Sequence, residues 1–204
     1  MYYLSAWNKQ NYEWRNPPLA FALGFILSVV GLYFYQNLEN ISTSLSDEVH
    51  IHADFAIYIN NERMDLTDNR YQSYSGHVLS EGVHLHDNED KVIHVHAEDI
   101  SLMDFLETLD IYMSKTCLTL DTGNNYCEDD RYVLELYVNK EIVENINDYE
   151  PKDEDQIMIY YGLVDNVKIN QYLNSLTNDS CIYSGTCTER GIAPPESCGL
   201  TCEL

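Results

Sequence analysis

The stretch "EVHIHADFAIYIN", residues 48–60, decides the fold because its side chains alternate between two chemical classes. Successive side chains of a β-strand point to opposite faces of the sheet, so this alternation predicts a half-buried strand. The apolar face carries Val49, Ile51, Ala53, Phe55, Ile57 and Ile59. The other face carries His50, His52, Asp54 and Tyr58. Asn60-Asn61 follows at once and predicts a tight turn into a short strand near residues 63–66.

Two further His-x-His pairs follow in "VHLHDNEDKVIHVH", residues 83–96. His84 and His86 alternate with apolar residues, and so do His94 and His96, so all three pairs lie on the face away from the apolar core. The short acidic segment 87–91 predicts that the two flanking strands form a hairpin. If the three strands are neighbours in one sheet, their six imidazoles form a single patch.

Paired imidazoles at this spacing indicate a metal site. Residues two apart on a strand lie about 6.6 Å apart, and zinc binds imidazole nitrogen at about 2.0–2.1 Å, so one pair can reach one ion. The predicted metal ligands are His50, His52, His84, His86, His94, His96 and Asp54, which shares the histidine face of its strand. Imidazole suits Zn and Cu, the two metals expected. Six histidines exceed one tetrahedral site, which leaves two ions, or a site shared between subunits of a homo-oligomer, as alternatives.

Other functions stay open beside metal binding. Histidines that titrate near pH 6.5 would also suit a metal-free surface interaction module that responds to pH. Three histidines and a water form a known catalytic zinc shell, so a zinc-dependent activity is a further alternative. The sequence contains no G-x-S-x-G, P-loop, G-x-G-x-x-G or H-E-x-x-H motif, and no catalytic residue is assigned. The formal net charge of −23 argues against a nucleic-acid partner.

The N-terminal region predicts a membrane anchor. Residues 19–35 contain no charged side chain, and the surrounding segment 17–36 is predicted to be a transmembrane helix. Lys9 and Arg15 precede this segment and acidic residues follow it, so the positive-inside rule places 1–16 in the cytoplasm and 37–204 outside a cytoplasmic membrane.

The six cysteines all follow this segment, and an even number in an exported region predicts disulfides. Cys117 and Cys127 flank a predicted hairpin with a Gly-Asn turn, which a disulfide would close. The remaining four allow three pairings, and the sequence does not choose among them: Cys181, Cys187, Cys198 and Cys202. A thiol–disulfide oxidoreductase or isomerase is the enzymatic alternative, although the chain has no C-x-x-C.

The rest of the chain completes an α+β, mainly β prediction. "DISLMDFLETLDIYM", residues 99–113, predicts the main helix, with Ser101 and Asp104 forming a capping-box pattern. Strands are expected near 116–121, 131–138 and 156–161, and this order of hairpin, helix, hairpin and strand resembles a ubiquitin-like β-grasp. The predicted domains are a tail at 1–16, an anchor at 17–36, a linker at 37–47, a His-rich domain at 48–165, and a short helix with a Cys-rich tail at 166–204.

Four segments together carry a family resemblance. These are "HIHADFAIYINNE" (50–62), "VHLHDNEDKVIHVHA" (83–97), "MDFLETLDI" (103–111) and "SCIYSGTCTERGIAPPESC" (180–198). With the predicted anchor, they resemble an uncharacterised family of small, single-span, exported prokaryotic proteins, some automatically labelled protein-disulfide isomerase. The resemblance implies an anchored, exported topology and a shared His-rich module.

Overall fold

The computed structural model describes residues 24–33, 35 and 49–194. The chain divides into two compact units, 1–47 and 48–204. In the first unit, residues 24–33 and 35 are helical and exposed. The predicted cytoplasmic tail and linker, and two of the tail cysteines, Cys198 and Cys202, lie outside the described residues.

The predicted transmembrane helix at 17–36 is wrong. No helix among the described residues is both long and apolar enough to cross a lipid bilayer. A membrane span needs about 20 consecutive apolar helical residues, whereas the described helical run in this segment covers residues 24–33. The prediction relied on an uncharged stretch of sequence, and absence of charge does not set the length of a helix. The predicted α+β class, with mainly strands, is confirmed.

The second unit contains ten strands, three α-helices and two short 3-10 helices, Asn69–Tyr71 and Thr188–Arg190, among its described residues. The strands are β1 (Ile51–Ile59), β2 (Glu62–Arg63), β3 (Val83–His84), β4 (Val92–Val95), β5 (Tyr112–Met113), β6 (Cys117–Thr119), β7 (Asn125–Cys127), β8 (Tyr132–Val138), β9 (Glu141–Ile142) and β10 (Gln156–Leu163). The helices are α1 (Leu102–Thr108), α2 (Asn166–Ser175) and α3 (Ser180–Tyr183).

The main sheet has the order β3-β4-β1-β10-β8-β9, and β2 pairs with β1. Its two longest strands, β1 and β10, are parallel neighbours at the centre, and the flanking pairs are antiparallel. A separate three-stranded sheet consists of β5, β6 and β7. The histidine pairs therefore lie in the part of the main sheet that is formed by β1 and the β3–β4 hairpin.

Both faces of strand β1 are buried, whereas its alternating sequence predicts burial of only one face. Ala53, Phe55 and Ile57 belong to the large core, which also contains Phe105 of α1. Tyr58, on the opposite face, belongs to a second apolar cluster with side chains of α2. The side of the sheet that carries the histidines is thus covered rather than open to water.

Local sequence rules account for several elements. Ser101 and Asp104 form the predicted capping box of α1, with the side chain of each accepting a hydrogen bond from the other's backbone N–H. Asn60 and Asn61 adopt positive φ in the predicted turn between β1 and β2. The predicted hairpin between Cys117 and Cys127 is confirmed, and its disulfide is present.

Candidate metal site

The six paired histidines belong to three neighbouring strands and their ends: His52, His84 and His94 lie within β1, β3 and β4, and His50, His86 and His96 lie just beyond them. In the sheet register, His94 of β4 lies directly opposite His52 of β1 on one side and His84 of β3 on the other. Because residues two apart share a face, the partner histidine of each pair lies beside these three. The predicted β3–β4 hairpin and the common phase of the three pairs are both confirmed.

The six rings form two rows of three, and each row takes one histidine from each of the three strand segments. In the first row, the His52 and His94 ring centroids are 4.9 Å apart, and those of His94 and His86 are 4.0 Å apart. In the second row, the His50–His96 distance is 4.5 Å and the His96–His84 distance is 4.9 Å. We call these the inner row (His52, His94, His86) and the outer row (His50, His96, His84), and together the histidine array.

The rows differ in exposure to solvent. The inner-row residues are 3%, 0% and 1% exposed for His52, His94 and His86. In the outer row, His84 is fully buried, whereas His50 and His96 are half-buried. One edge of the array therefore reaches solvent, and the other lies inside the protein.

Two rings have their Nδ1 atoms held by acceptor groups. His84 Nδ1 lies 2.8 Å from the backbone carbonyl oxygen of Ser80, and His86 Nδ1 lies 2.9 Å from Asp87 Oδ2. A carbonyl or carboxylate oxygen only accepts hydrogen bonds, so both Nδ1 atoms carry the proton and donate it. In the neutral imidazole this places the lone pair on Nε2, the form in which histidine binds a metal.

A third ring, that of His52, is oriented by two successive hydrogen bonds, from the ring to Ser184 and from Ser184 to Asp153. Its Nδ1 lies 3.0 Å from Ser184 Oγ, and that hydroxyl donates to Asp153 Oδ1 at 2.6 Å. Because the hydroxyl proton is used toward Asp153, Ser184 accepts from His52, and the same tautomer results. The backbone N–H of His52 also donates to Asp153 Oδ1, at 3.0 Å, which fixes the carboxylate behind the ring.

Asp54 shares the histidine face but has a different set of contacts. Its fully buried carboxylate accepts hydrogen bonds from Thr177 Oγ1, from the backbone N–H of Asp179, and from both the N–H and the hydroxyl of Ser180. Two donors on each oxygen leave the carboxylate committed to holding the chain around α3 against β1. This geometry suits an anchoring role for Asp54, and its predicted role as a ligand stays a prediction.

A short segment, residues 177–187, covers the inner row; we call it the covering segment. The Tyr183 ring lies 4.8 Å from the His94 ring and 5.6 Å from the His52 ring, measured between centroids. A disulfide between Cys181 and Cys187 closes the segment on itself. This bond occurs in one of the three pairings that the sequence leaves open for the tail cysteines, and Cys198 and Cys202 lie outside the described residues.

The seventh histidine, His77, is exposed and lies outside the array, against the ring of Tyr74. Three residues of the site are not predicted by the sequence. They contact the inner row from more than 50 residues away in the chain and are Tyr183, Ser184 and Asp153. The signal that could have pointed to two of them is their position between the two cysteines of "CIYSGTC".

Across residues 24–33, 35 and 49–194, no three His, Cys, Asp or Glu side chains are already arranged to hold a metal ion. The ring spacing is nevertheless that of shared coordination: two imidazoles on one tetrahedral zinc have centroids about 5 Å apart. Histidine χ2 is a broad torsion, so small ring rotations redirect the nitrogens without moving the strands.

Comparison with known proteins gives no match to any family model, curated protein or solved structure.

Proposed function

We propose that this protein binds a transition metal ion, Zn or Cu, through its paired histidines. The observation that carries the proposal is the array itself: six imidazoles on one sheet face, with neighbouring ring centroids 4.0–4.9 Å apart within each row. Four of the six residues are buried, at positions where apolar side chains would avoid the cost of desolvating ring nitrogens. Coordination of a metal ion is an interaction that compensates this cost.

The hydrogen bonds behind the rings support the same proposal. Metal-binding histidines characteristically donate their second ring N–H to a carboxylate, a carbonyl or another acceptor, which fixes the tautomer and orients the ring. His52, His84 and His86 each have such an acceptor at Nδ1, within 3.0 Å. The three acceptors are of different types, yet each favours the same tautomer of its histidine. A polar surface with no metal to bind would not require this common tautomer.

The donor set favours a borderline metal. Imidazole nitrogen suits Zn, Cu and Ni, and among divalent ions Cu²⁺ has the highest intrinsic affinity for such donors. All four described cysteines are in disulfides, so no described thiolate competes for the ion. We therefore propose a site of neutral nitrogen ligands, with carboxylates behind the rings.

The decisive test is metal analysis of the full chain purified without a histidine tag. We expect at least one equivalent of bound Zn or Cu, and a large loss of binding in the double variant His84→Ala/His86→Ala. His77→Ala is the matched control, because it removes an imidazole outside the array. Less than stoichiometric binding of Zn, Cu and Ni, or binding that the double variant leaves unchanged, would overturn the proposal.

A further inference from the structure

We infer that the histidine array holds two metal ions of unequal accessibility, one in each row. The inner ion is held by His52, His94 and His86, and the outer ion by His50, His96 and His84. This inference rests on the proposed function and deepens it, because it assigns the number of ions, the ligands of each, and the order in which they exchange with solvent.

The spacing of the rings defines the two groups. Within a row, neighbouring centroids are 4.0–4.9 Å apart. Between the rows, the three His-x-His pairs are separated by 5.2 Å at His50–His52, 5.6 Å at His84–His86 and 6.4 Å at His94–His96. Each ring is therefore closer to its neighbours in the row than to its partner in the same His-x-His pair, so shared coordination is favoured along a row.

The number of ligands fits the same division. Zinc is almost always four-coordinate, so six imidazoles cannot all bind one ion. Three imidazoles per ion leave one position for water or for another small ligand, which is the arrangement of an open zinc site. His94 and His96 lie at the middle of their rows, where each contacts both neighbours of its row.

Carboxylates behind two rings of the inner row favour tight binding of an ion there. Carboxylates lie behind two inner rings: Asp87 accepts from His86 directly, and Asp153 is linked to His52 through the Ser184 hydroxyl. In the outer row, the acceptor behind His84 is a neutral backbone carbonyl. A carboxylate stabilises the positive charge that a bound divalent ion places on its ligands, and it does so more strongly where little solvent intervenes.

Access to the two rows also differs. The covering segment lies over the inner row, with the Tyr183 ring against His52 and His94, and Asp54 holds that segment to β1 with four hydrogen bonds. In the outer row, His50 and His96 are half-buried, with His50 Nε2 and His96 Nδ1 themselves buried, so this row lies nearer to solvent than the inner row. An ion in the outer row therefore exchanges readily, whereas an ion in the inner row leaves only when the covering segment moves.

The test is the release of zinc from the full chain, loaded with Zn²⁺ alone and then mixed with excess chelator. We expect two equivalents of Zn²⁺, released in a fast phase and a slow phase of equal amplitude. His96→Gln should remove the fast equivalent and leave the slow one. Tyr183→Ala keeps all six imidazoles, so it should leave both equivalents bound and accelerate only the slow phase. His77→Ala should match the unaltered chain in both phases.

The outcomes separate this inference from the proposed function. A single equivalent, two equivalents released in one phase, or a slow phase that Tyr183→Ala leaves unchanged would overturn the two-row assignment while metal binding itself stands. Binding below one equivalent would overturn the proposed function as well. His86→Gln tests the inner row directly and should remove the slow phase, with circular dichroism checking that the variant is folded. Loss of the fast phase instead of the slow one would contradict the assignment.

Discussion

The substitution Asp54→Asn tests whether one buried carboxylate holds the covering segment in place. It is nearly isosteric, so it changes hydrogen bonding and charge with little change in packing. The two donors on Oδ1, Thr177 Oγ1 and the Asp179 N–H, can keep an amide oxygen as their acceptor. The two donors on Oδ2, the N–H and hydroxyl of Ser180, would meet an amide NH₂ instead.

The expected loss of stability follows from those four contacts. The Ser180 hydroxyl can rotate to accept from the amide, whereas its buried N–H loses its acceptor, at a cost of about 1–3 kcal/mol. Each of the two retained hydrogen bonds changes from a charged to a neutral acceptor, which weakens it by about 1 kcal/mol. We therefore expect the free energy of unfolding to fall by about 3–5 kcal/mol.

The assay is urea unfolding followed by circular dichroism, combined with hydrogen exchange resolved by peptide. Exchange should accelerate most in residues 177–187, because the lost contacts anchor that segment. Asp148→Asn is the matched control: Asp148 is exposed and accepts from the Asn145 side chain, so its replacement should change stability by less than about 0.5 kcal/mol. A loss below about 1 kcal/mol for Asp54→Asn, or unchanged exchange in the covering segment, would show that this carboxylate does not anchor the segment.

Three further predictions concern different parts of the second unit. Asp87→Asn places a residue that tolerates the positive φ of this position but weakens the acceptor behind His86. Calorimetric titration should therefore show metal affinity lowered about 10–100-fold. The control, His77→Ala, should show no change. Replacing Cys117 and Cys127 together by Ser should lower the free energy of unfolding in urea by about 2–4 kcal/mol. Metal binding should stay unchanged, because that disulfide lies in the separate three-stranded sheet. An altered zinc stoichiometry would contradict this. Burial, and then the nearby Asp121 carboxylate, raise the pKa of Tyr71 to about 12. Since the folded-state pKa lies above the unfolded value, this contribution to stability is complete below about pH 10 and is lost as the pH rises towards 12; urea unfolding across this range should show a smaller decline in Tyr71→Phe.

Sequence reasoning worked best where the signal is local. The alternation in 48–60, the capping box at Ser101 and the hairpin between Cys117 and Cys127 each depend on residues close together in the chain. The prediction of a membrane-spanning helix at 17–36 is wrong, because no helix among the described residues is both long and apolar enough to cross a bilayer. Charge and hydropathy report the composition of a segment, whereas a span also requires about 20 consecutive apolar residues in a helix.

The environment of the histidines could not be obtained in the same way. The alternating pattern shows that the six imidazoles share a face, but it contains no information about what covers that face. The covering segment, with Tyr183 and Ser184, is separated from His52 by about 130 residues, and Ser184 contacts its ring directly. The sequence therefore predicted a polar face, and the structure places most of it in the interior.

By itself, the sequence determined the strand phase: the period of two puts all three histidine pairs on one face, because side-chain direction in a strand is a property of the local backbone. Only the folded chain brings β1 beside the β3–β4 hairpin, arranges the rings in two rows and buries one row beneath Tyr183. Those features depend on strand pairing and on contacts between distant segments. Such contacts form only when the whole chain folds, and they turn a repeated dipeptide pattern into a specific arrangement of imidazoles.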